Sequence, residues 1–488
     1  GRFSKDYNDI TNMTWSNILT YQTKIKKKHN LDLLAGYEIN SKESDGLGTT
    51  ISNFARWDKP EVNNGVVYQS MGGSNSTTRI VSYITRANYD YDNKYYLGAS
   101  WRTDGSSRLA RENRWGNFWS LSGAWRVSSE SFMKPLQNWL SDLKLRVSYG
   151  VNGTLPSSYY GYMGLSSLTS NYNDNPGIKQ SQLENKELTW ETNYNFNSGI
   201  DLGFFDNRLN VTFEYYVRTT KNLLYSRPLS LATGFSSYLA NIGKLQNKGY
   251  ELEIRSTNIE TKDFRWSTSL NLGHNANKIL KLDGDLKQVT SGTSIHKVGL
   301  PYSTYYMIEF AGIDPVDGEP MFYKNTTDEN GNLNKETTKD PRSAEKVILQ
   351  CADPTITGGL GNSISYKWFD LNFNVNFSFG AWNYDGSASK LEHGGDGTLN
   401  IPIYYRKRWQ KEGDETSIER FVVGRSISMT DYATTRRLYS GDYVRLKNLT
   451  FGFTLPKTWT RKVGIDNIRL YASGNNLLTW AAYDYIDP

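Results

Sequence analysis

Side chains able to do chemistry are sparse in this sequence, and none falls into a spacing that reaction chemistry requires. Four histidines are present, His29, His274, His296 and His393. His29 stands beside the basic run Lys26-Lys27-Lys28, and His274 closes a strand-like segment; both are positions of solvated turn residues. The stretch Glu392-His393-Gly394-Gly395-Asp396 could ligate a metal, but it offers one imidazole and no fixed ligand spacing, so a glycine-rich turn is the better reading. Asp314, Asp317 and Glu319 lack the regular oxygen spacing of an EF-hand loop and read as turn residues. Cys351 is the single cysteine, which excludes an internal disulfide framework. No nucleophile motif, zinc-binding helix or paired-carboxylate arrangement is recognisable. The expectation is therefore no catalytic residue, no cofactor and no metal site.

The abundant chemistry is aromatic, and the elements that must position it are strands. Phe, Trp and Tyr make up 14% of the 488 residues, yet hydrophobic residues reach only 37% and mean hydropathy is −0.63. Such a composition suits a fold in which about half of each strand faces water. Between 369 and 379, Phe369, Leu371, Phe373, Val375, Phe377 and Phe379 alternate with Asp370, Asn372, Asn374, Asn376 and Ser378. This period of two puts the apolar groups on one face and the polar groups on the other. The same pattern recurs at Leu143 to Tyr149, at Leu209 to Val217, and at Tyr250, Leu252 and Ile254 against Glu251, Glu253 and Arg255.

About fourteen strands are expected by this pattern, near 11–24, 29–41, 79–90, 94–103, 116–128, 142–152, 188–203, 207–221, 248–259, 263–275, 355–366, 369–382, 443–455 and 467–478. In 443–455 the apolar face switches between Leu446 and Leu449, which predicts a β-bulge. Hairpin-short links such as Lys26–Lys28, Asp90–Asn93, Phe204–Asn207, Glu260–Lys262 and Lys367–Trp368 alternate with long ones, 42–78, 104–115, 153–187, 222–247, 276–354 and 383–442. Short turns on one side and long loops on the other characterise outer-membrane barrels. The fold expected is all-β, a transmembrane antiparallel β-barrel wall spanning residues 1–488. No apolar run is long enough for a membrane helix, which does not bear on barrel strands. A net charge of +6 without a basic stripe gives no nucleic-acid footprint.

In such a barrel, Tyr95, Tyr96, Trp368 and Trp382 near strand ends suit interfacial girdles. Trp101, Trp115, Trp119, Trp382, Tyr404, Tyr405 and Trp409 lie in or beside long loops. There they could stack on sugar rings, grip a peptide, pack the loops or meet a lid protein. Trp101, Trp115, Trp119, Trp382, Tyr404 and Trp409 are the candidate substrate or lid contacts.

Several segments, taken in order, resemble the SusC-like (SusC/RagA) TonB-dependent transporters of Bacteroidetes outer membranes. The hairpin Trp101-Arg102-Thr103-Asp104-Gly105-Ser106-Ser107-Arg108, with Trp115-Gly116-Asn117-Phe118-Trp119-Ser120 and Gly123-Ala124-Trp125-Arg126, is similar to that family's R-x-D-G-S-S-R … G-x-F-P-S … G-W-R hallmark. Leu143 to Gly150, Leu188-Thr189-Trp190-Glu191, Asn247-Lys248-Gly249-Tyr250-Glu251-Leu252, Gly312-Ile313-Asp314-Pro315, Tyr443 to Leu449 and Tyr471 to Leu477 continue the match. Trp119 stands where the family usually has Pro, and Leu109-Ala110 where Phe-Gly is usual; both departures bear on local loop shape.

The resemblance implies a barrel of about 22 strands around an N-terminal plug, with the chain covering about strands 8 to 21 and its plug and closing strand absent. It further implies active import of oligosaccharides or oligopeptides across the outer membrane, beneath a SusD-like lipoprotein lid. TonB-ExbB-ExbD would supply energy through the missing N-terminal part, with outer-membrane lipid around the wall. The alternatives left open are a structural subunit of a larger outer-membrane assembly or secretion complex, and a passive porin.

Overall fold

The structure is a computed structural model and describes residues 1–483 apart from 174, 283, 285, 330, 396–399 and 425–431. Asp396 and the terminal Ile486-Asp487-Pro488 lie outside the described residues.

Fourteen strands hydrogen-bond in chain order into one antiparallel sheet. They are β1 (Arg2–Ile25), β2 (His29–Phe54), β3 (Gly65–Tyr91), β4 (Tyr95–Ser106), β5 (Trp115–Arg126), β6 (Leu140–Thr154) and β7 (Glu191–Phe204). The remainder are β8 (Leu209–Lys221), β9 (Lys244–Glu260), β10 (Phe264–Lys281), β11 (Ile356–Tyr366), β12 (Phe369–Phe379), β13 (Tyr443–Thr454) and β14 (Arg469–Ala481). Each corresponds to one expected strand. Tight turns are built from left-handed residues, such as Lys26 and Lys27 (φ 48° and 58°) or Asp92 and Asn93 (φ 55° and 54°). Positive φ at a turn matches the twist of the flanking strands.

The chief departure from the sequence reading is 42–78, expected as a loop. β2 runs on to Phe54 and β3 starts at Gly65, paired in a ladder that includes Leu47↔Gly73 and Thr49↔Met71. The small residues of this stretch, among them Gly46, Gly48, Gly72, Gly73 and Ser74, show almost no apolar alternation. Backbone hydrogen bonds rather than side-chain burial hold the ladder there, so the sequence carries little strand signal. In the other long connections strands and short helices occur inside what reads as loop. The link after β6 holds a hairpin (Leu165–Tyr172 with Asn175–Gln182), and the link after β8 holds another (Leu224–Pro228 with Ser237–Asn241). The link after β10 folds into small four- and three-stranded sheets.

The chain divides into two compact units, residues 1–135, 143–199 and 216–244 forming the first, and 136–142, 200–215 and 245–488 the second. In the first, Leu109, Phe118, Val151, Leu188 and Trp190 form a buried cluster at the loop ends of the strands, with Leu224 and Leu239 packed against it. Phe118 and Trp190 meet edge-on at 5.2 Å. In the second, Ile308 and Phe322 centre a smaller cluster with Phe310 and Ala344.

The bulge expected in β13 is present. Asn374 pairs with Asn448 but Val375 pairs with Leu446, leaving Lys447 as the extra residue.

Candidate functional site

The wall presents two chemically distinct faces. In the first unit the register aligns Leu97 with Gly123 and Val147, and Ala99 with Leu121 and Tyr149. Leu97, Leu121, Leu145, Val147 and Tyr149 are all exposed, so this face is apolar without being covered. Aromatics bound it at both ends. Tyr95 and Trp125 stack at 6.3 Å at the turn end, and Tyr83 and Trp115 at 6.2 Å at the loop end. Trp115 and Trp125 lie ten residues apart on β5, about 33 Å along the strand. At a tilt of about 40° that becomes about 25 Å, the height of an apolar band between girdles. The turn-end girdle is tied down: Glu130 accepts from the Tyr95 hydroxyl at 2.7 Å, from Lys94 at 3.2 Å and from the Trp125 indole at 3.3 Å.

The opposite face carries the polar set. Arg102 donates to Asp104 at 2.7 Å and to the Ser82 hydroxyl at 2.9 Å. Asn193, fully buried, accepts from Arg218 at 3.1 Å and Thr220 at 2.7 Å.

Three of the candidate contacts, Trp101, Trp115 and Trp119, share the apolar face. Trp101 pairs directly across from Trp119, and both flank the Leu97–Leu121 belt.

The other three lie in the second unit, and each is engaged by its own chain. Tyr404 donates its hydroxyl to Glu392 at 2.5 Å, and its neighbour Tyr405 donates to Glu419 at 3.0 Å. Arg437, 1% exposed, donates to the Glu392 carboxylate and to its main-chain carbonyl, both at 3.2 Å. Arg436 pairs with Glu419. Burial and the adjoining carboxylates push both tyrosine hydroxyls far above their ordinary range. Burial opposes the Arg436 charge, but Glu419, Tyr405 and Glu392 outweigh it and hold the guanidinium charged. The Glu392-His393-Gly394-Gly395 stretch is thus a buried ion-pair centre. Gly394 (φ 59°) stands so near Glu419 that a Cβ would lie 2.8 Å from its Oε1. Among the described residues no three His, Cys, Asp or Glu side chains converge as metal ligands.

Trp409 lies over the Gly318 turn and donates its indole N–H to the Pro315 carbonyl at 3.0 Å. Lys339 clamps that turn by donating to Asp314 at 2.6 Å and Asp317 at 2.7 Å, and these bonds hold both carboxyls below their ordinary range. Trp382 opens a short strand, Trp382–Tyr384, paired with Leu438–Ser440.

On the polar face of the second unit, residues from five neighbouring strands line an open trough. Glu253 and Arg255 come from β9, Asn271 from β10, Gly359 and Gly361 from β11, Asn374 and Asn376 from β12, and Lys447 from β13. Further along the same face lie Glu214 and Glu251. Asn, Ser, Glu and Arg side chains at this density make a surface that exchanges hydrogen bonds with a polar solute and water.

A family model described as "TonB dependent receptor-like, beta-barrel" matches residues 1–477. The chain belongs to that family. It is therefore an outer-membrane β-barrel wall, with the apolar face toward lipid and the polar face toward the lumen. Among curated relatives, a TonB-dependent receptor of Formosa agariphila is 33% identical over 514 residues, covering 100% of this chain and 50% of that protein. TonB-dependent receptor SusC of Bacteroides thetaiotaomicron is 30% identical, covering 84% of this chain and 41% of its own length. A solved structure of the RagAB peptide transporter superposes with a TM-score of 0.84 at 28% identity, covering 99% of this chain and 53% of that one. The chain thus spans about half the length of the relatives it matches, and the SusC-like resemblance read from its motifs is borne out.

The residues that sequence reasoning passed over are Glu419, Arg436, Arg437 and Lys447. Nothing local marks the first three, whose partners lie 14 to 45 positions away. The fourth had a signal, the switch of face within 443–455.

Proposed function

We propose that this receptor barrel forms the wall of an active importer that carries oligosaccharides or oligopeptides across the outer membrane. Energy reaches it through TonB-ExbB-ExbD, acting on parts of the protein beyond this wall. A SusD-like surface lipoprotein closes over the loop end, which faces outward, and delivers the solute. The observation that supports this reading is the pairing of family membership with a lumen face rich in side-chain amides, carboxylates and guanidinium groups in β8–β13. A lumen built to pass oligomers needs many weak hydrogen-bonding partners rather than one deep pocket. The similarity to the RagAB peptide transporter and to SusC supports the same reading.

The test is uptake in the native host. Cells deleted for this receptor, and cells deleted for TonB, are given fluorescent oligopeptides and oligosaccharides. Loss of the same uptake in both strains is expected. Uptake that survives either deletion for every oligomer overturns the proposal.

A further inference from the structure

The lipid face of the second unit breaks its apolar series at one directly opposed pair, Thr268 and Asn362. On β11, Leu360, Asn362, Ile364 and Tyr366 share a face, and the register sets them against Val375, Phe373, Leu371 and Phe369 of β12. On the other side β10 sets Leu270, Thr268, Trp266 and Phe264 against the same four. Asn362 therefore stands among Phe373, Leu360 and Ile364 on the face that meets acyl chains. Both strands that flank it are in place, and the lumen lies across the sheet, so nothing held inside the barrel reaches this face.

Aromatics mark the turn end of this face. Phe264 and Tyr366 lie 6.4 Å apart, and Phe369 lies 4.8 Å from Phe453. Asn362 is four residues from Tyr366, about 13 Å along the strand and about 10 Å in height at a tilt of about 40°. It thus sits well within an apolar band about 25 Å tall.

Its hydrogen bonds fix which way the amide points. Asn362 Oδ1 accepts from the Trp266 indole at 2.9 Å and from the Thr268 hydroxyl at 2.8 Å. Thr268 accepts in turn from Asn258 Nδ2 at 2.7 Å. An indole N–H can only donate, so the oxygen must face Trp266 and the amide cannot be turned round. The oxygen then has both lone pairs engaged, while the two Nδ2–H bonds meet no acceptor among the described residues. A second copy of this chain on a two-fold through this point would set donors against donors. An unmet amide donor is costly in hydrocarbon. The acceptors that a bilayer offers are lipid carbonyl and headgroup oxygens, and a polar group at this depth draws them in by thinning the leaflet locally.

We propose that Asn362 binds the ester carbonyls of a glycerophospholipid in the leaflet at the turn end, with Trp266 and Thr268 as positioning residues that hold the amide for it. Two N–H donors match the two ester carbonyls of one diacylglycerol unit. Leu360, Ile364 and Phe373 receive its acyl chains. The site ties the leaflet to the wall beside β10 and β11, and it is independent of what the barrel carries.

The test uses the full-length receptor in detergent, titrated with lipid and read by native mass spectrometry. The probes are dioleoyl phosphatidylethanolamine and its diether analogue, which keeps the headgroup and chains but has no ester carbonyl. Wild type holds the diester lipid more tightly, by at least about fivefold. Asn362→Leu brings the two lipids within a factor of two of each other. That variant strands the Trp266 N–H, so Asn362→Leu/Trp266→Phe/Thr268→Val removes its partners as well and should give the same result. Asn372→Leu, on the lumen face of β12, keeps the preference. Equal binding of the two lipids by wild type overturns the assignment, and so does a diester preference that survives in the triple variant or disappears in Asn372→Leu.

Discussion

Replacing Arg437 by methionine is a demanding test of the loop architecture, because it removes one charge of a buried pair and keeps the bulk. Arg437 is 1% exposed and gives Glu392 two hydrogen bonds, to Oε2 and to the main-chain oxygen, both at 3.2 Å. Without it, Glu392, 5% exposed, keeps, among the described residues, the Tyr404 hydroxyl at 2.5 Å and Arg436 at 3.9 Å. One-sided removal from a buried pair costs about 3 to 5 kcal/mol, and the two surviving partners put this case near the lower end. About 3 kcal/mol corresponds to a roughly 150-fold rise in local opening. The assay is amide hydrogen exchange followed by mass spectrometry over Trp382–Tyr384, Gly386–Leu391 and Leu438–Ser440. Asp385 N–H, which donates to the Arg437 carbonyl at 2.9 Å, reports the opening directly. The double variant Glu392→Gln/Arg437→Met removes the stranded charge and should recover most of the protection. Exchange that rises less than about threefold in the single variant, or a double variant as unprotected as the single, would refute the reasoning.

Other consequences are equally measurable. Leu121→Arg, on the lipid face between Trp115 and Trp125, should destabilise folding into vesicles by about 2–4 kcal/mol, whereas Ser122→Arg, on the lumen face, should cost much less; urea titration of the two separates the faces. Gly318→Ala forces a side chain into φ 70° and sets its Cβ 2.4 Å from the Trp409 ring. It should expose Trp409, seen as a red-shifted emission that a Trp409→Phe control lacks. The Lys339 clamp sets a pH window. Asp314 and Asp317 have depressed folded pKa values, so their stabilisation is full above the unfolded value of about 3.9 and is lost as pH falls through the folded ones. Lys339 is shifted upward, so its contribution is present below about 10.4 and lost only as pH rises beyond that. Trp409 emission should therefore hold steady from about pH 5 to pH 9 and change below about pH 4; a transition near neutrality would contradict the clamp.

Legibility differed between strand and loop for a physical reason. A strand with lipid on one side and water on the other must alternate, so Phe369 to Phe379 declares its structure residue by residue. The upper parts of β2 and β3 are held by backbone pairing, so Gly46, Gly48, Gly72 and Ser74 satisfy the ladder without alternating. Candidate contacts were the least legible. Loop position and aromatic type did not distinguish Trp101 and Trp119, which border lipid, from Tyr404, whose hydroxyl is held by Glu392.

The sequence by itself determined the all-β class, the fourteen strands in order, the bulge in β13 and the family, because each is written in local periodicity or in contiguous motifs. Only the tertiary structure decided which aromatics share the apolar face and which are held within loops, that Glu392 and Glu419 meet Arg437 and Arg436, and that Lys447 stands beside amides from β10 and β12. Periodicity is a property of one strand and survives in one dimension. A pair of charges or a trough is a property of several segments brought together, and its partners appear only when strands far apart in the chain become neighbours.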